Sequence, residues 1–166
     1  MTVAVYHKTI KNEFPEMKVR LEELNGTGVE VGVLKGEHAW LASIHEFGCT
    51  INVTPKQRAY LFKKGLKVGK TIKIPERAFL RGGFDENRDK VMQRAQQCVA
   101  DVAAGKMTAR GLHQAVGLML SSKIKDYARD LSSPANHPFT VEQKGSSNPL
   151  VDTGDMIGGI TWRKAK

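Results

Sequence analysis

Ile10, Phe14, Met17, Leu21 and Leu24 recur at intervals of three and four, the spacing that gathers apolar side chains on one helix face. Asn12 is the expected N-cap of this helix. Pro15 then falls in the first turn, where its missing N–H costs nothing, and Asn25-Gly26 is the expected stop. Val29, Val31 and Val33 alternate with Glu30 and Gly32, which is strand periodicity with one apolar face. A slip of one residue would turn the three valines into water, so burial of that face fixes the register. Glu37 to Phe47 predicts a short helix with Trp40, Ile44 and Phe47 on one side and Gly48 as its stop. Val91, Ala95, Cys98 and Val102 mark the buried stripe of a long helix over 85–104, begun by the acids Asp85, Glu86 and Asp89, which the helix field favours there. PERAFLRGGF, just before it, is expected to break at Gly82-Gly83. Thr108 caps a second long helix, running to about Leu131, whose stripe is Leu112, Val116, Leu120, Ile124 and Tyr127. Gly111 and Gly117 weaken it by about 0.8–1 kcal/mol each relative to Ala and are read as places where another backbone comes close.

Between these elements lie three less regular stretches. Residues 49–74 form an excursion. Thr50 to Val53 and Thr71 to Ile74 are strand-like and able to pair as its two arms, and TPKQRAYLFKKG between them predicts a helix with Thr54 as cap, Pro55 at the first position and Gly65 as stop. Two readings of the excursion stand side by side: a solvent-facing flap, or an arm that touches another subunit or a partner. Residues 132–149 read as a loop rich in Pro, Gly and small polar residues. Residues 150–166 read as a turn, one short helical turn and a strand: Asn148-Pro149 punctuates, Asp152 or Thr153 accepts from the free N–H groups that follow, and Ile160, Thr161 and Trp162 extend. Val3 to Tyr6 is a further short strand or a loose arm. The sum is one α+β domain over 1–166, a small, mostly antiparallel sheet packed against two long helices with a long excursion between strands. Such a sheet leaves open edges, which subunits of a ring would cover by pairing.

Charge changes this picture more than composition does. Of 166 residues, 26 are Lys or Arg and 17 Asp or Glu, for a net charge of +9. Lys56, Arg58, Lys63, Lys64, Lys67, Lys70 and Lys73 crowd the stretch between Thr54 and Ile74, with Tyr60 and Phe62 interleaved and no acid among them. Arg163, Lys164 and Lys166 follow Trp162 as a basic tail. A solvated surface, phosphate contact with passing DNA without base reading, and an acidic protein partner all fit these cations. No run of apolar residues reaches membrane-spanning length, so no membrane contact is expected, and the N-terminus lacks the apolar run of a signal peptide. Cys49 and Cys98 are expected to be free thiols in a reducing compartment, Cys98 as a small core residue.

Catalytic chemistry finds no foothold. His45-Glu46 lacks the second histidine of HExxH, since Cys49 stands there beyond Gly48, and His38, His45 and Cys49 together lack a fourth metal ligand. His113 is expected to pack beside the core with one ring nitrogen bonded, and His137 has no evident partner. Gly69-Lys70-Thr71 lacks the upstream glycine of a phosphate loop. No catalytic residue, metal or cofactor is assigned, and the reading is of a protein that is not an enzyme.

Three segments, taken in order, carry a resemblance: IHEFG at Ile44 to Gly48, IPERAFLR at Ile74 to Arg81, and LVDTGDMIGGITW at Leu150 to Trp162. They resemble the [IN]-x-EFG, IPxRxFLR and LxDTGxLxxSIxW elements of a family of tailed-bacteriophage neck, head–tail joining and tail-completion proteins, the virion morphogenesis proteins. Met156 and Gly159 stand where the family has Leu and Ser. The resemblance implies a structural virion protein that forms a ring, usually six-fold, at the head–tail junction or the head-proximal end of the tail, assembled in the host cytoplasm. Its partners would be its own copies, the neck or connector protein, a tail-tube or tail-terminator protein, and genomic DNA passing through the channel. A basic nucleic-acid-binding module is the alternative. The resemblance further implies fold-determining roles for Glu46, Phe47, Gly48, Phe79, Asp152, Thr153 and Gly154, with Phe47 and Phe79 buried and Gly48 setting a bend. Arg77 and Arg81 would pair or line an interface, and Trp162 and Arg163 would join the basic excursion as assembly or DNA-facing residues.

Overall fold

The structure, a computed structural model, describes residues 12–165. The expected strand or arm at Val3 to Tyr6 lies outside these, as do Ile10 and Lys166. The described elements run α1 (Phe14–Glu22), β1 (Gly28–Val33), α2 (Glu37–Phe47), β2 (Cys49–Asn52), α3 (Pro55–Lys63), β3 (Thr71–Ile74), α4 (Phe79–Ala103), α5 (Ala109–Asp130), α6 (Pro138–Lys144), α7 (Asp155–Gly158) and β4 (Ile160–Ala165). The fold is α+β, a single domain, with two long helices and two small antiparallel sheets.

The expected single sheet divides in two. β1 pairs with β4, Gly28 opposite Ala165 and Val33 opposite Ile160. β2 pairs with β3, Cys49 opposite Ile74 and Asn52 opposite Thr71. Only the first sheet lies on α5. Val29, Val31 and Val33 all turn toward the core there, while Glu30 faces out and pairs with Arg163 across the strands at 2.6 Å. Each sheet has two strands, so every strand keeps one edge without a strand partner among the described residues.

α4 and α5 form the antiparallel pair around which the core collects. Val91, Cys98 and Val102 from α4 meet Leu112, Val116, Leu120 and Ile124 from α5, all buried, and Leu150, Met156, Ile157 and Ile160 close the end. The stripes are those the spacing of apolar residues predicts. α4 begins earlier than expected, at Phe79, and runs through Gly82-Gly83 unbroken. The reason is packing: a Cβ on Gly83 would lie 3.1 Å from the Ile124 Cα, and one on Gly82 would lie 2.7 Å from Tyr127 Cζ. These glycines let α4 approach α5, and the burial gained outweighs their poor helix propensity. Gly117 serves a related purpose, but what approaches it is the Trp162 indole, not a backbone. Gly111 meets the Met107 side chain.

Smaller differences have local causes. Glu13 holds the N-cap of α1, and Asn12 acts one residue earlier, its Oδ1 accepting from the Phe14 N–H at 3.1 Å. The helix stops at Glu22, which leaves Leu24 in the following turn. The stretch 132–149 is not all loop. α6 occupies its centre, started by Pro138 in its first turn and ended by Gly145 at φ +68°. α2 does not bury the side expected: Trp40 is 70% and Phe47 64% exposed, and Ala42 and Glu46 face the core instead. Phe79, in contrast, is fully buried as expected. Cys49 and Cys98 are free thiols, Cys98 within the core.

Candidate functional site

A helix that starts at Ala78-Phe79 has no Ser, Thr, Asp or Asn in place to take its free N–H groups. Glu46, on α2, supplies the missing acceptor. Its carboxylate accepts from the Leu80 N–H at 2.8 Å and the Arg81 N–H at 3.1 Å. The Phe79 N–H goes to the Arg77 carbonyl and the Gly82 N–H to Ala78, so the first turn of α4 is fully satisfied. Glu46 is 3% exposed, yet it keeps a cation: Arg81 Nε donates to it at 2.8 Å. This bond comes first among the interactions that raise the affinity of Arg81 for its proton. Arg81 also reaches the Glu46 carbonyl and the Glu76 carboxylate, and it covers the Phe47 ring at 5.1 Å. Phe47 thus lies outside, under a guanidinium, because the buried carboxylate next to it holds that guanidinium at the surface. Asp85, Glu86 and Asp89 lie past the first turn of α4, and the carboxylate that accepts from its first N–H groups is that of Glu46.

Gly48 links α2 to β2 at φ +68°, ψ 167°, a backbone conformation open essentially to glycine. A Cβ here would sit 2.8 Å from the Glu76 nitrogen and 2.9 Å from the Ile74 carbonyl oxygen. Arg77, next in the chain, is buried. Its N–H donates to the His45 carbonyl, and its guanidinium donates to the Pro134 and Ala135 carbonyls and to Asn136 Oδ1. It also lies 3.3 Å from His45 Nδ1. Burial, then the charges of Arg77 and Lys144, push His45 down to about 4, so the ring is neutral and its Nδ1 is free to accept. Burial likewise lowers Lys144, with Asp152 opposing and Arg77 adding to it.

The C-terminal segment closes the same junction, with α7 against α2. Asn148 Oδ1 accepts from the Leu150 and Val151 N–H groups, and its amide donates to the Arg129 carbonyl at 2.6 Å. Gly154, at φ +91°, precedes α7, and Thr153 both accepts from the Asp155 N–H and donates to its carboxylate. Asp152 lies exposed before this turn.

The basic excursion projects from this junction. Thr54 and Gln57 form a reciprocal capping box that starts α3, and Gly65 closes it. Lys56, Lys63, Lys64, Lys67, Lys70 and Lys73 are exposed and Arg58 is half-buried. Tyr60 and Phe62 are 61% and 68% exposed. No residue of α3 belongs to the main core. Lys56, Tyr60 and Lys63 share one face of α3, at steps of four and three, and Lys64 follows as its C-cap. Trp162 and Arg163 lie elsewhere, on β4, with the half-buried indole over Gly117 and Arg163 tied to Glu30. The sequence-based candidates therefore fall into three groups: the junction of Glu46, Gly48, Arg77 and Arg81, the arm, and the β4 strand.

His113 is buried and 3.0 Å from Thr27 Oγ1 through Nε2; burial, then Lys164, lower its affinity for a proton, with the Ala109 carbonyl opposing. Among the described residues, no three His, Cys, Asp or Glu side chains gather as metal ligands, and no helix is long and apolar enough to cross a membrane. Sequence reasoning missed the cap that Glu46 provides and the clasp that Arg77 makes on residues 134–136. The signal for the first was the absence of any capping side chain at 76–78. No protein-family model, curated protein or solved structure matches the chain.

Proposed function

We propose that the protein is a structural virion protein of a tailed bacteriophage, forming a ring at the head–tail junction or the head-proximal end of the tail. The observation that carries this reading is the basic arm projecting from the junction where the three family-like segments meet. Glu46 and Gly48 come from the first segment, Arg77 and Arg81 from the second, and α7 from the third. Glu46 and Arg77 bond the first two segments together and α7 packs on α2, so each segment has a structural part in the junction. The strand edges without a partner among the described residues and the exposed aromatics on α2 and α3 are surfaces that neighbouring subunits would cover. Identical subunits repeating one interface close into a ring, and the net charge of +9 suits a channel that passes DNA by phosphate contact.

A stop codon in the gene tests this reading. Lysates should then accumulate filled heads and separate tails that fail to join, and the protein supplied in trans should restore joining. Normal yields of infectious particles without the protein would overturn it. The alternative, a basic nucleic-acid-binding module, would show salt-dependent DNA binding by the monomer that is lost on neutralising Lys63, Lys64 and Lys67.

A further inference from the structure

The segment between α5 and the C-terminal turn, residues 132–148, joins the body without entering its core. None of these residues is fully buried, and the core cluster resumes only at Leu150. Its helix, α6, has seven residues, too few to stand alone in water. Hydrogen bonds hold the segment instead. At its far end Asn148 donates to the Arg129 carbonyl, and Asn136 Nδ2 and Lys144 Nζ both donate to the Asn148 carbonyl at 3.4 Å. Near its start it is clasped by the Arg77 guanidinium. Nε donates to the Pro134 carbonyl at 2.7 Å, and Nη2 to the Ala135 carbonyl and Asn136 Oδ1, each at 3.1 Å. The remaining nitrogen, Nη1, lies 3.3 Å from His45 Nδ1 on α2. A guanidinium only donates, so this imidazole nitrogen has to accept, and it accepts only while it carries no hydrogen.

We propose that residues 132–148 are a latch released by a proton on His45: closed while Nδ1 accepts from Arg77, and open, with the α4–α5 core intact, once that nitrogen is protonated. The proton, taken from solvent, sets N–H against N–H and places a third cation beside two others. Among the described residues, the charges that act on His45 are Arg77, from the β3–α4 connection, and Lys144, from α6. Asp152, before α7, acts on Lys144, and Glu46, next to His45, is turned into the cap of α4. The least costly relief is to part the segment from Arg77. The backbone of residue 77 stays tied to α2 through its N–H on the His45 carbonyl, whereas 134–136 depend on the guanidinium. With the latch closed the ring is held at about 4, by burial first and these charges second; freed of them it returns toward 6.5, so the open form binds the proton better. The latch is therefore closed above pH 6.5 and loosens as pH falls toward 4, and it should be roughly tenfold more open at pH 5 than at pH 7.

Hydrogen exchange of the full chain tests this, with each rate corrected for the intrinsic effect of pH. The amides of Thr140, Val141 and Gly145 bond within α6. They should exchange far faster than those of α4 and α5 at both pH values, and about tenfold more readily at pH 5 than at pH 7. In His45→Gln, whose side-chain oxygen accepts at either pH, this response should vanish. His137 Nδ1 also accepts, from the Phe139 N–H at the start of α6. The control is therefore His137→Asn, which keeps an acceptor there and should keep the response. If thermal melts show that His45→Gln does not fold, nuclear magnetic resonance of the native chain reads the same claim: the His45 ring and the α6 amides should titrate with one midpoint. Amides of α6 as protected as those of α4 and α5, α6 exchange indifferent to pH, a response that survives in His45→Gln, or separate midpoints would each overturn the latch.

Discussion

The carboxylate of Glu46 accepts a hydrogen bond from Arg81 Nε at 2.8 Å while capping the helix to which Arg81 belongs. One side chain therefore fixes the start of α4, the end of α2 and the position of a surface guanidinium. Replacing it with Ala leaves two first-turn N–H groups without an acceptor and removes a charge pair. Because Arg81 is half-exposed, the pair itself contributes modestly, and Glu46→Ala should cost about 2–4 kcal/mol, most of it from the lost cap. Glu46→Gln keeps one acceptor but sets its NH2 against the other N–H, and should cost about 1–3 kcal/mol, less than Ala. Urea unfolding of the two variants measures the difference.

Two glycines with positive φ should respond differently to alanine. At Gly48 the new methyl meets the backbone at Glu76 and Ile74, which cannot move without parting β2 from β3. Gly65, at φ +88°, has nothing within 4 Å. Gly65→Ala should cost about 1–2 kcal/mol from backbone strain alone, and Gly48→Ala about 3 kcal/mol or more. Thermal melts of both variants test this ordering, and equal losses would contradict it.

Trp162 lies against Gly117, so a methyl there would displace the indole. Gly117→Ala raises helix propensity, yet it should destabilise by about 1–3 kcal/mol through overpacking. The tryptophan emission should shift to the red as the ring moves into water, and Gly111→Ala, beside the flexible Met107, should leave it unchanged.

His45 makes stability depend on pH in the acid range. Its folded value, about 4, lies below the ordinary 6.5, so the unfolded chain binds the proton first. The contribution is complete above pH 6.5 and is lost as pH falls toward 4. His113, also lowered, acts in the same direction. With the ring partly open to solvent, the loss from His45 should be about 1–2 kcal/mol, less than the shift alone would imply. Unfolding followed between pH 7 and pH 4 should show a shallower decline in His45→Gln than in the native chain.

What the chain's own pattern made legible was local. Thr54-Pro55 at its start and Gly65 at its end specify α3 without help from the rest of the molecule, and the stripes of α4 and α5 state their buried faces directly. What it hid depended on partners distant in sequence. Gly82-Gly83 reads as a break because propensity is local, whereas Tyr127 and Ile124, which require those glycines, lie some forty residues on. The resemblance implies a buried Phe47, but Glu46 takes the inward position and sends its neighbour out under Arg81. α6 announces itself only by Pro138 and Gly145, too short a helix for any periodicity to show.

Electron microscopy of the purified protein, alone and with the connector or tail protein that the proposed function implies, tests the central claim most directly. The expected result is annular particles with a channel wide enough for duplex DNA. Monomers under both conditions, together with the absence of the protein from purified virions, would contradict it.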